Sequence, residues 1–123
     1  MTASATAAFI AAIAEPTRLR ILNCIAAAPL FVSDLVAILG LPQPTVSRHL
    51  RVLRDAGVLN DLPIPPYAIY SLVPQPPPRQ RVLRAVLDAA LTEGAFRTDR
   101  DAARARTRES VRARVAGVGV DVG

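Results

Sequence analysis

The 123-residue sequence contains no lysine and no tryptophan, and it has one cysteine and one histidine. A lone cysteine excludes an intrachain disulfide and gives no sign of an oxidising compartment. Only 4% of the residues are aromatic, while alanine, valine and leucine dominate the 51% that are hydrophobic. This composition favours packed helices over a β-sandwich or barrel. No run of about 18 apolar residues is present, so the sequence predicts no membrane-spanning helix.

The length and the start of the chain predict one folded domain. Residues 3 to 14 are rich in alanine but lack the basic flank of a signal peptide, and they continue into a helical pattern. We therefore expect this segment to belong to the folded protein and the protein to be cytoplasmic. A chain of this size buries a modest core, which we expect a partner subunit to complete.

All 15 basic side chains are arginine, and with ten acidic residues they give a net charge of +5. Such an excess is typical of proteins with polyanionic partners, although total charge does not distinguish nucleic acid from other anionic surfaces. The excess lies mainly in the second part of the chain. Residues 1–78 carry five arginines against four acidic residues, whereas residues 79–116 carry ten against five.

Three short helical patterns precede the most informative segment. Residues 1–14 predict an N-terminal helix, and Glu15-Pro16 marks the start of a second helix, which Pro29 ends. Ser33 is the predicted N-cap of a third helix, and Gly40 stands where a left-handed residue ends it. A tight turn follows.

The stretch QPTVSRHLRVLRDAGVL, residues 43–59, contains a predicted fourth helix from Gln43 to Asp55, with Pro44 near its first position and Gly57 just past its end. On a helical wheel the apolar residues share one side and the polar residues lie opposite. The inward residues are Val46, Leu50 and Leu53. Two helices joined by a short turn that contains glycine form the helix-turn-helix pattern.

The outward side of this fourth helix carries short polar groups and one forked cation in its first two turns. These residues are Gln43, Thr45, Ser47 and Arg48. In a DNA major groove, arginine bonds guanine, glutamine pairs with adenine, and serine or threonine reaches a base edge or a phosphate. Arg51 and Arg54 come later in the helix, and we expect them to lie over the phosphate backbone.

Residues 58–62 and 67–73 are rich in β-branched and aromatic side chains, and with the prolines between them they predict a β-hairpin. A hairpin directly after such a helix is the wing of a winged helix-turn-helix. Its tip carries Asp61 and no cation, so insertion into the minor groove is not expected. The prolines either stiffen a short loop or present an apolar tip to another surface. Residues 74–78 predict an extended spacer.

Residues 79–91 predict a helix with an apolar stripe that packs against a second subunit. The predicted dimerisation residues are Val82, Leu83, Val86, Leu87, Ala90 and Leu91. Residues 97–116 predict a charged helix with an arginine ridge at i, i+4 spacing, formed by Arg100, Arg104, Arg108 and Arg112. The ridge is open to three interpretations, namely a solvated face, a contact to flanking phosphates, or a contact to an acidic protein.

The resulting organisation is a single domain over residues 1–123. It comprises an N-terminal helix (1–14), a winged helix-turn-helix (15–73), a proline-rich spacer (74–78), the dimerisation and basic helices (79–116) and a flexible tail (117–123).

Three separated segments resemble, in order and spacing, the ArsR/SmtB family of winged-helix repressors. They are EPTRLRIL at 15–22, VSDLVAILGLPQPTVSRHLRVLRDAGVL at 32–59 and YAIYSL at 67–72. The resemblance implies a mainly α fold with a small β-hairpin and a homodimer built from the terminal helices. It also implies an autoregulatory repressor that binds an imperfect palindrome in double-stranded DNA and leaves it when an inducer binds. By this resemblance the DNA-reading residues are Gln43, Thr45, Ser47, Arg48 and His49.

The sequence departs from the family at its metal sites. Where many members have Cys-Val-Cys, this chain has Phe31-Val32-Ser33, and residues 79–93 offer only Asp88 and Glu93 as ligands. We therefore expect no metal and no other cofactor. No nucleophile, base and orienting group stand in a recognisable arrangement, and no glycine-rich phosphate loop occurs, so we do not expect an enzyme.

Two alternatives to a metal-independent repressor follow from the residues. Cys24 is either an exposed thiol of lowered pKa, which would sense oxidants or electrophiles, or a small apolar filler. The second alternative is a winged-helix module that binds another protein through its apolar terminal helix and arginine ridge.

Overall fold

Six helices and a small sheet make up the part of the chain that the computed structural model describes, residues 4–117, with side chains described for residues 4–109 and Arg112. The elements are α1 (Ala5–Ile13), α2 (Pro16–Ala27), β1 (Leu30–Phe31), α3 (Val32–Leu39), α4 (Gln43–Asp55), β2 (Leu59–Ile64), β3 (Tyr67–Leu72), α5 (Pro77–Ala90) and α6 (Gly94–Gly117). This mainly helical fold with a small β-hairpin confirms the predicted class. None of the helices within this range is long and apolar enough to cross a membrane.

Side-chain caps fix the corner between α1 and α2. The Ser4 hydroxyl accepts the N–H of Ala7 (3.1 Å), which starts α1. The Glu15 carboxylate accepts the N–H of Arg18 (2.8 Å), and Pro16 occupies the first turn of α2. Proline suits this position because its missing N–H would have no partner in the helix. The break that Glu15-Pro16 predicts is therefore present.

The predicted N-cap of α3 is wrong. The helix begins at Val32, with Phe31 as the flanking residue, and Ser33 lies inside the first turn. The carboxylate of Asp34 takes over the capping role, since its Oδ2 accepts the N–H of Phe31 at 3.0 Å. The other end follows the prediction, because Gly40 has φ of 67° and ends the helix in the left-handed conformation.

The first strand of the wing runs two residues farther toward the tip than predicted, and the wing belongs to a three-stranded sheet. β2 and β3 are antiparallel and pair from Leu59 with Leu72 to Ile64 with Tyr67, so the turn is reduced to two prolines. β1 pairs with β3 on its other side, which gives the strand order β1-β3-β2. A strand of two residues is too short to show alternation, and the sequence therefore does not reveal β1.

One hydrophobic core contains side chains from all six helices and from the base of the sheet. α5 contributes to this core, which corrects the assignment of its whole stripe to a second subunit. Leu83, Leu87 and Ala90 are buried within the chain, because α5 packs against α2. Val82, Val86 and Leu91 are the exposed or half-buried members of the predicted set.

α6 starts at Gly94 rather than Arg97 and lies across α2 and α3. Its described contacts to these helices include two ion pairs. The Arg20 guanidinium donates to both carboxylate oxygens of Asp99, at 2.8 and 3.2 Å. Arg106 Nε lies 3.4 Å from Oδ1 of Asp34, the residue that caps α3. Residues 118–123, which hold most of the predicted flexible tail, lie outside the described residues.

The Arg20–Asp99 pair leads to a prediction about stability. Arg20→Leu leaves the largely buried Asp99 carboxylate without its two charge-assisted hydrogen bonds. We expect the free energy of unfolding to fall by about 1–3 kcal/mol, measured by urea denaturation. The control is Arg104→Leu, which removes an exposed pair with Asp101 and should change stability by no more than about 0.5 kcal/mol. Equal losses in the two variants would show that Asp99 does not hold α6 in place.

Candidate nucleic-acid interface

The rotation of α4 is set by its buried side. Val46, Leu50 and Leu53 are fully buried in the core, as the wheel predicts. The opposite side faces solvent, where Gln43 and Arg48 are exposed and Ser47 is half-buried. An exposed polar edge on a helix of this length has the dimensions that a DNA major groove accepts.

The cations on this edge have few partners within the chain. Arg48 Nη2 lies 3.4 Å from Thr45 Oγ1, an exposed contact within the helix. Among the described residues, neither Arg48 nor Arg51 has a carboxylate within ion-pair distance. Their guanidinium groups are therefore positioned to bind an external anion or base edge without first breaking a salt bridge.

Arg54 is placed differently from Arg48 and Arg51. Its Nη1 is 4.0 Å from Oδ2 of Asp61 in the wing, and its Nε is 3.7 Å from Oδ1 of Asp55. Both carboxylates offset its charge, and the contact with Asp61 links the end of α4 to β2. The expected phosphate contact of Arg54 would therefore compete with two acidic neighbours.

His49, which the family resemblance places among the reading residues, turns toward the corner between α1 and α2. Its Nδ1 lies 3.3 Å from Arg18 Nη1 and 3.7 Å from Glu15 Oε2. Arg18 in turn donates from Nε to the carbonyl of Ala12, at 2.6 Å. The imidazole thus connects α4 to the N-terminal helices rather than lying on the polar edge.

Glu15 and Arg18 are members of this interface that the sequence analysis did not identify. Burial alone would raise the pKa of the Glu15 carboxyl, but hydrogen bonds from the backbone of Arg18 and Thr17, with the nearby His49 and Arg18 side chains, hold that pKa below its ordinary value. The capping contact between Glu15 and Arg18 lies within the segment EPTR, so its spacing could have been recognised in the sequence. Their partner His49 lies too far along the chain for spacing to reveal the contact.

The wing presents apolar rather than cationic side chains. Leu62, Ile64 and Tyr67 are 60%, 41% and 50% exposed. Tyr67 also packs edge-on against Phe31, with ring centroids 5.9 Å apart. β2 and β3 contain no lysine or arginine, so the wing adds no positive charge for phosphates.

Cys24 is not the exposed thiol that a redox sensor requires. It is 0% exposed, and its Sγ lies 3.8 Å from the carbonyl of Asp99 in α6. Burial, followed by the negative charge of Asp99, raises the pKa of the thiol to about 12. Of the two interpretations of Cys24, the exposed thiol of lowered pKa is therefore wrong, because α6 covers this side of α2 and leaves the cysteine as a small apolar residue of the core.

The stretch that replaces Cys-Val-Cys contains no metal-binding side chain. Phe31 is buried and Ser33 is exposed at the start of α3. Within the described part of the chain, no group of three or more histidine, cysteine, aspartate or glutamate residues is arranged to hold a metal ion.

Comparisons with known proteins match the region built from α2 to the wing. Residues 15–61 match the family model described as bacterial regulatory protein, arsR family. The HTH-type transcriptional regulator NmtR of Mycobacterium tuberculosis is 42% identical over 57 residues, which are 46% of this chain and 48% of that protein. The arsenic resistance transcriptional regulator ArsR1 of Pseudomonas putida is 39% identical over 79 residues, 63% of this chain and 62% of that protein. The chain thus spans less than two thirds of the length of either relative.

The fold has a solved counterpart. HlyU from Vibrio cholerae superimposes with a TM-score of 0.60 at 26% sequence identity, covering 67% of this chain and 87% of that chain. The similarity therefore extends over most of that protein.

The buried thiol leads to a prediction about pH. The folded state holds its proton up to about pH 12, whereas an unfolded chain loses it near the ordinary value of 9.0. Above the unfolded pKa the unfolded state binds fewer protons, so stability falls as pH rises toward the folded pKa. One unit above the unfolded pKa, we expect this loss to reach about 1.4 kcal/mol. Urea denaturation at several alkaline pH values should show a shallower decline for Cys24→Ala, and identical declines would contradict the burial.

Proposed function

We propose that this chain is a homodimeric DNA-binding transcriptional regulator that represses its own promoter, because residues 15–61 match the arsR family model. Each subunit inserts α4 into a major groove. The two α4 helices reach half-sites of an imperfect palindrome about one DNA turn apart.

The observation that carries this proposal is the exposed polar edge of α4. Gln43 and Arg48 lie at the solvent surface in the first two turns, on a helix whose rotation the core determines. Arginine can bond O6 and N7 of guanine together, and glutamine can pair with adenine in the same way. Thr45 and Ser47 add shorter contacts, and Arg51 binds the phosphate backbone without reading sequence.

His49 acts through other residues in this proposal. Its contacts with Arg18 and Glu15 hold α4 against the corner between α1 and α2. Arg54, with Asp61, holds the end of α4 against the wing. The reading surface is therefore the first two turns of α4. His49 and Arg54 determine the orientation of this helix relative to the rest of the domain.

The dimer uses an apolar groove between α1, α2 and α5. A cavity of about 500 Å³ in this groove is lined mostly by aliphatic side chains. Ile10 and Val82 line it and are 43% and 38% exposed, and Val86 lies beside them. Burial of such side chains by a second copy removes apolar surface from water and places two α4 helices on one duplex.

The regulator proposed here has no metal site of the thiolate kind and is not an oxidant sensor through Cys24. The replacement of the family's Cys-Val-Cys supports the first point, and the complete burial of Cys24 supports the second. An inducer, where one acts, therefore belongs to another chemical class.

The exposed apolar wing favours a second candidate function, a module that binds another protein. Under this alternative Leu62, Ile64 and Tyr67 contact a partner, and α4 makes no specific base contacts. DNA-binding measurements on variants of α4 and of the wing distinguish the two functions.

The repressor proposal predicts which variants lose sequence preference. Arg48→Ala and Gln43→Ala should each weaken binding to the chain's own upstream duplex by about 1–3 kcal/mol, with little effect on a random duplex. Arg51→Ala should weaken binding to both duplexes and lower the salt dependence by about one counterion. Fluorescence anisotropy at several salt concentrations measures both effects.

Arg81→Ala is the control for this series, because Arg81 is exposed on α5 and outside the interface. The proposal fails if the wild-type protein binds the two duplexes equally well at moderate salt. It also fails if Arg48→Ala matches the control.

The dimer proposal predicts the effect of a charge in the groove. Val82→Asp places a carboxylate among aliphatic side chains, so we expect a monomer by sedimentation velocity and weaker binding to a full palindrome. Leu62→Asp is the matched control, since Leu62 is also exposed and apolar but lies in the wing. A wild-type monomer, or a Val82→Asp dimer of unchanged affinity, would contradict this arrangement.

A further inference from the structure

Arg100 in α6 is half-buried, and one nitrogen of its guanidinium group is buried without a hydrogen-bond partner among the described residues. Its Nε donates to the backbone carbonyl of Asn23 at 3.3 Å. Its Nη2 is buried and has no hydrogen-bond partner among the described residues. A buried donor of a charged group is costly when it is left unpaired, so this atom favours an acceptor beyond those that the described residues supply.

The two acidic residues that flank Arg100 in α6 pair with other arginines. Asp99 accepts both hydrogen bonds from Arg20, and Asp101 pairs with Arg104 at 3.4 Å. Burial and the neighbouring charge of Arg104 lower the pKa of the Arg100 guanidinium, whereas Asp88 acts to raise it. The surroundings therefore leave the guanidinium short of negative charge.

Arg100 also lines two cavities. One, of about 130 Å³, lies between α2, α5 and the end of β3, and Arg84, Asp88 and Gln80 line it as well. The other, of about 250 Å³, is lined by Arg97, Asp101 and Arg104. Since a water molecule occupies about 30 Å³ in the liquid, the smaller cavity has room for a small tetrahedral anion.

The donors around the smaller cavity suit an oxyanion. Arg84 and Arg100 contribute two forked cations, which bind tetrahedral oxyanions through paired N–H groups. Gln80 accepts the N–H of Gln75 through Oε1 at 3.0 Å, which leaves its amide N–H groups as donors. Asp88 is the one acidic residue in the lining, so the charged side chains there sum to a net positive charge.

We propose that α2, α5 and α6 form an oxyanion site around Arg100 that binds a phosphate-type group between Arg84, Gln80 and Arg100. The site goes beyond the proposed DNA-reading function and does not depend on it. The group comes either from free phosphate and small phosphorylated molecules or from the DNA backbone. In both cases it neutralises Arg100 and bridges α6 to α5 across the cavity.

This site also gives part of the arginine ridge a separate role. Arg100 is half-buried against α2, whereas Arg104, Arg108 and Arg112 are exposed. The i, i+4 repeat therefore does not form a uniform face. Its first member belongs to a cavity, and the other three lie along the solvent side of α6.

The test is calorimetric titration of the full chain with inorganic phosphate at constant ionic strength, with chloride as the balancing anion. We expect saturable binding to the wild-type protein. Arg100→Met should weaken it at least tenfold, and Arg84→Gln severalfold, because each removes one forked cation. Arg81→Gln, on the same helix but outside the cavity, should match the wild type. Asp88→Asn should bind phosphate more tightly, since it removes the opposing charge.

The absence of saturable binding, or an equal loss in Arg81→Gln, would overturn the proposal. Circular dichroism checks that each variant folds, and if Arg100→Met does not fold, the opposite effects expected of Arg84→Gln and Asp88→Asn decide the question. Neither outcome depends on DNA binding, so failure here is distinguishable from failure of the proposed function.

A second measurement distinguishes the two sources of the group. If the site binds the DNA backbone, Arg84→Gln should lower duplex affinity by about the same factor as phosphate affinity, and added phosphate should compete with DNA. If the site binds a free anion, duplex affinity of Arg84→Gln in phosphate-free buffer should equal that of the wild type.

Discussion

Burial of Val46, Leu50 and Leu53 is the interaction on which the rest of the candidate interface depends. Each fully buried aliphatic side chain of this size contributes about 1.5–3 kcal/mol relative to an exposed one. Rotating α4 by one residue would expose these three side chains and bury arginine in their place. The same burial that stabilises the domain therefore holds Gln43 and Arg48 at the surface. Arg18 then contacts His49 in the middle of α4, and Asp61 pairs with Arg54 near the end of the helix.

α6 gives the helix-turn-helix a second layer that is held in part by polar contacts. Asp99 pairs with Arg20 of α2, and Arg106 faces the buried Asp34 that caps α3. The same helix covers Cys24, which keeps its thiol protonated over the physiological range. Because Arg100 and Arg106 are half-buried while Arg104 and Arg108 are exposed, the positive charge of α6 is divided between the contact with the domain and solvent. A net charge taken from the sequence does not distinguish these two uses.

The sequence predicted those features that depend on local spacing. The inward side of α4, the left-handed Gly40 and the break at Glu15-Pro16 follow from rules that act within a few residues. Features that depend on distant partners were missed or wrong. Ser33 is a good N-cap by residue type, but the Asp34 carboxylate accepts the N–H of Phe31 and caps α3 instead. Asp34 also faces Arg106, which lies 72 residues farther along the chain. The α5 stripe has the spacing of a dimer contact, yet Leu83 and Leu87 complete the chain's own core.

Periodicity, turn residues and the order of motifs by themselves determined that this chain forms a winged helix-turn-helix with a polar edge on its fourth helix. The tertiary structure alone decided which polar groups are exposed on that edge and that His49 faces Arg18 and Glu15. It also decided that Cys24 is covered by α6 and that Arg100 of α6 lies against α2. The reason is physical. Helix spacing specifies which side chains share a face, whereas burial and charge pairing depend on elements up to 79 residues apart, as in the Arg20–Asp99 pair.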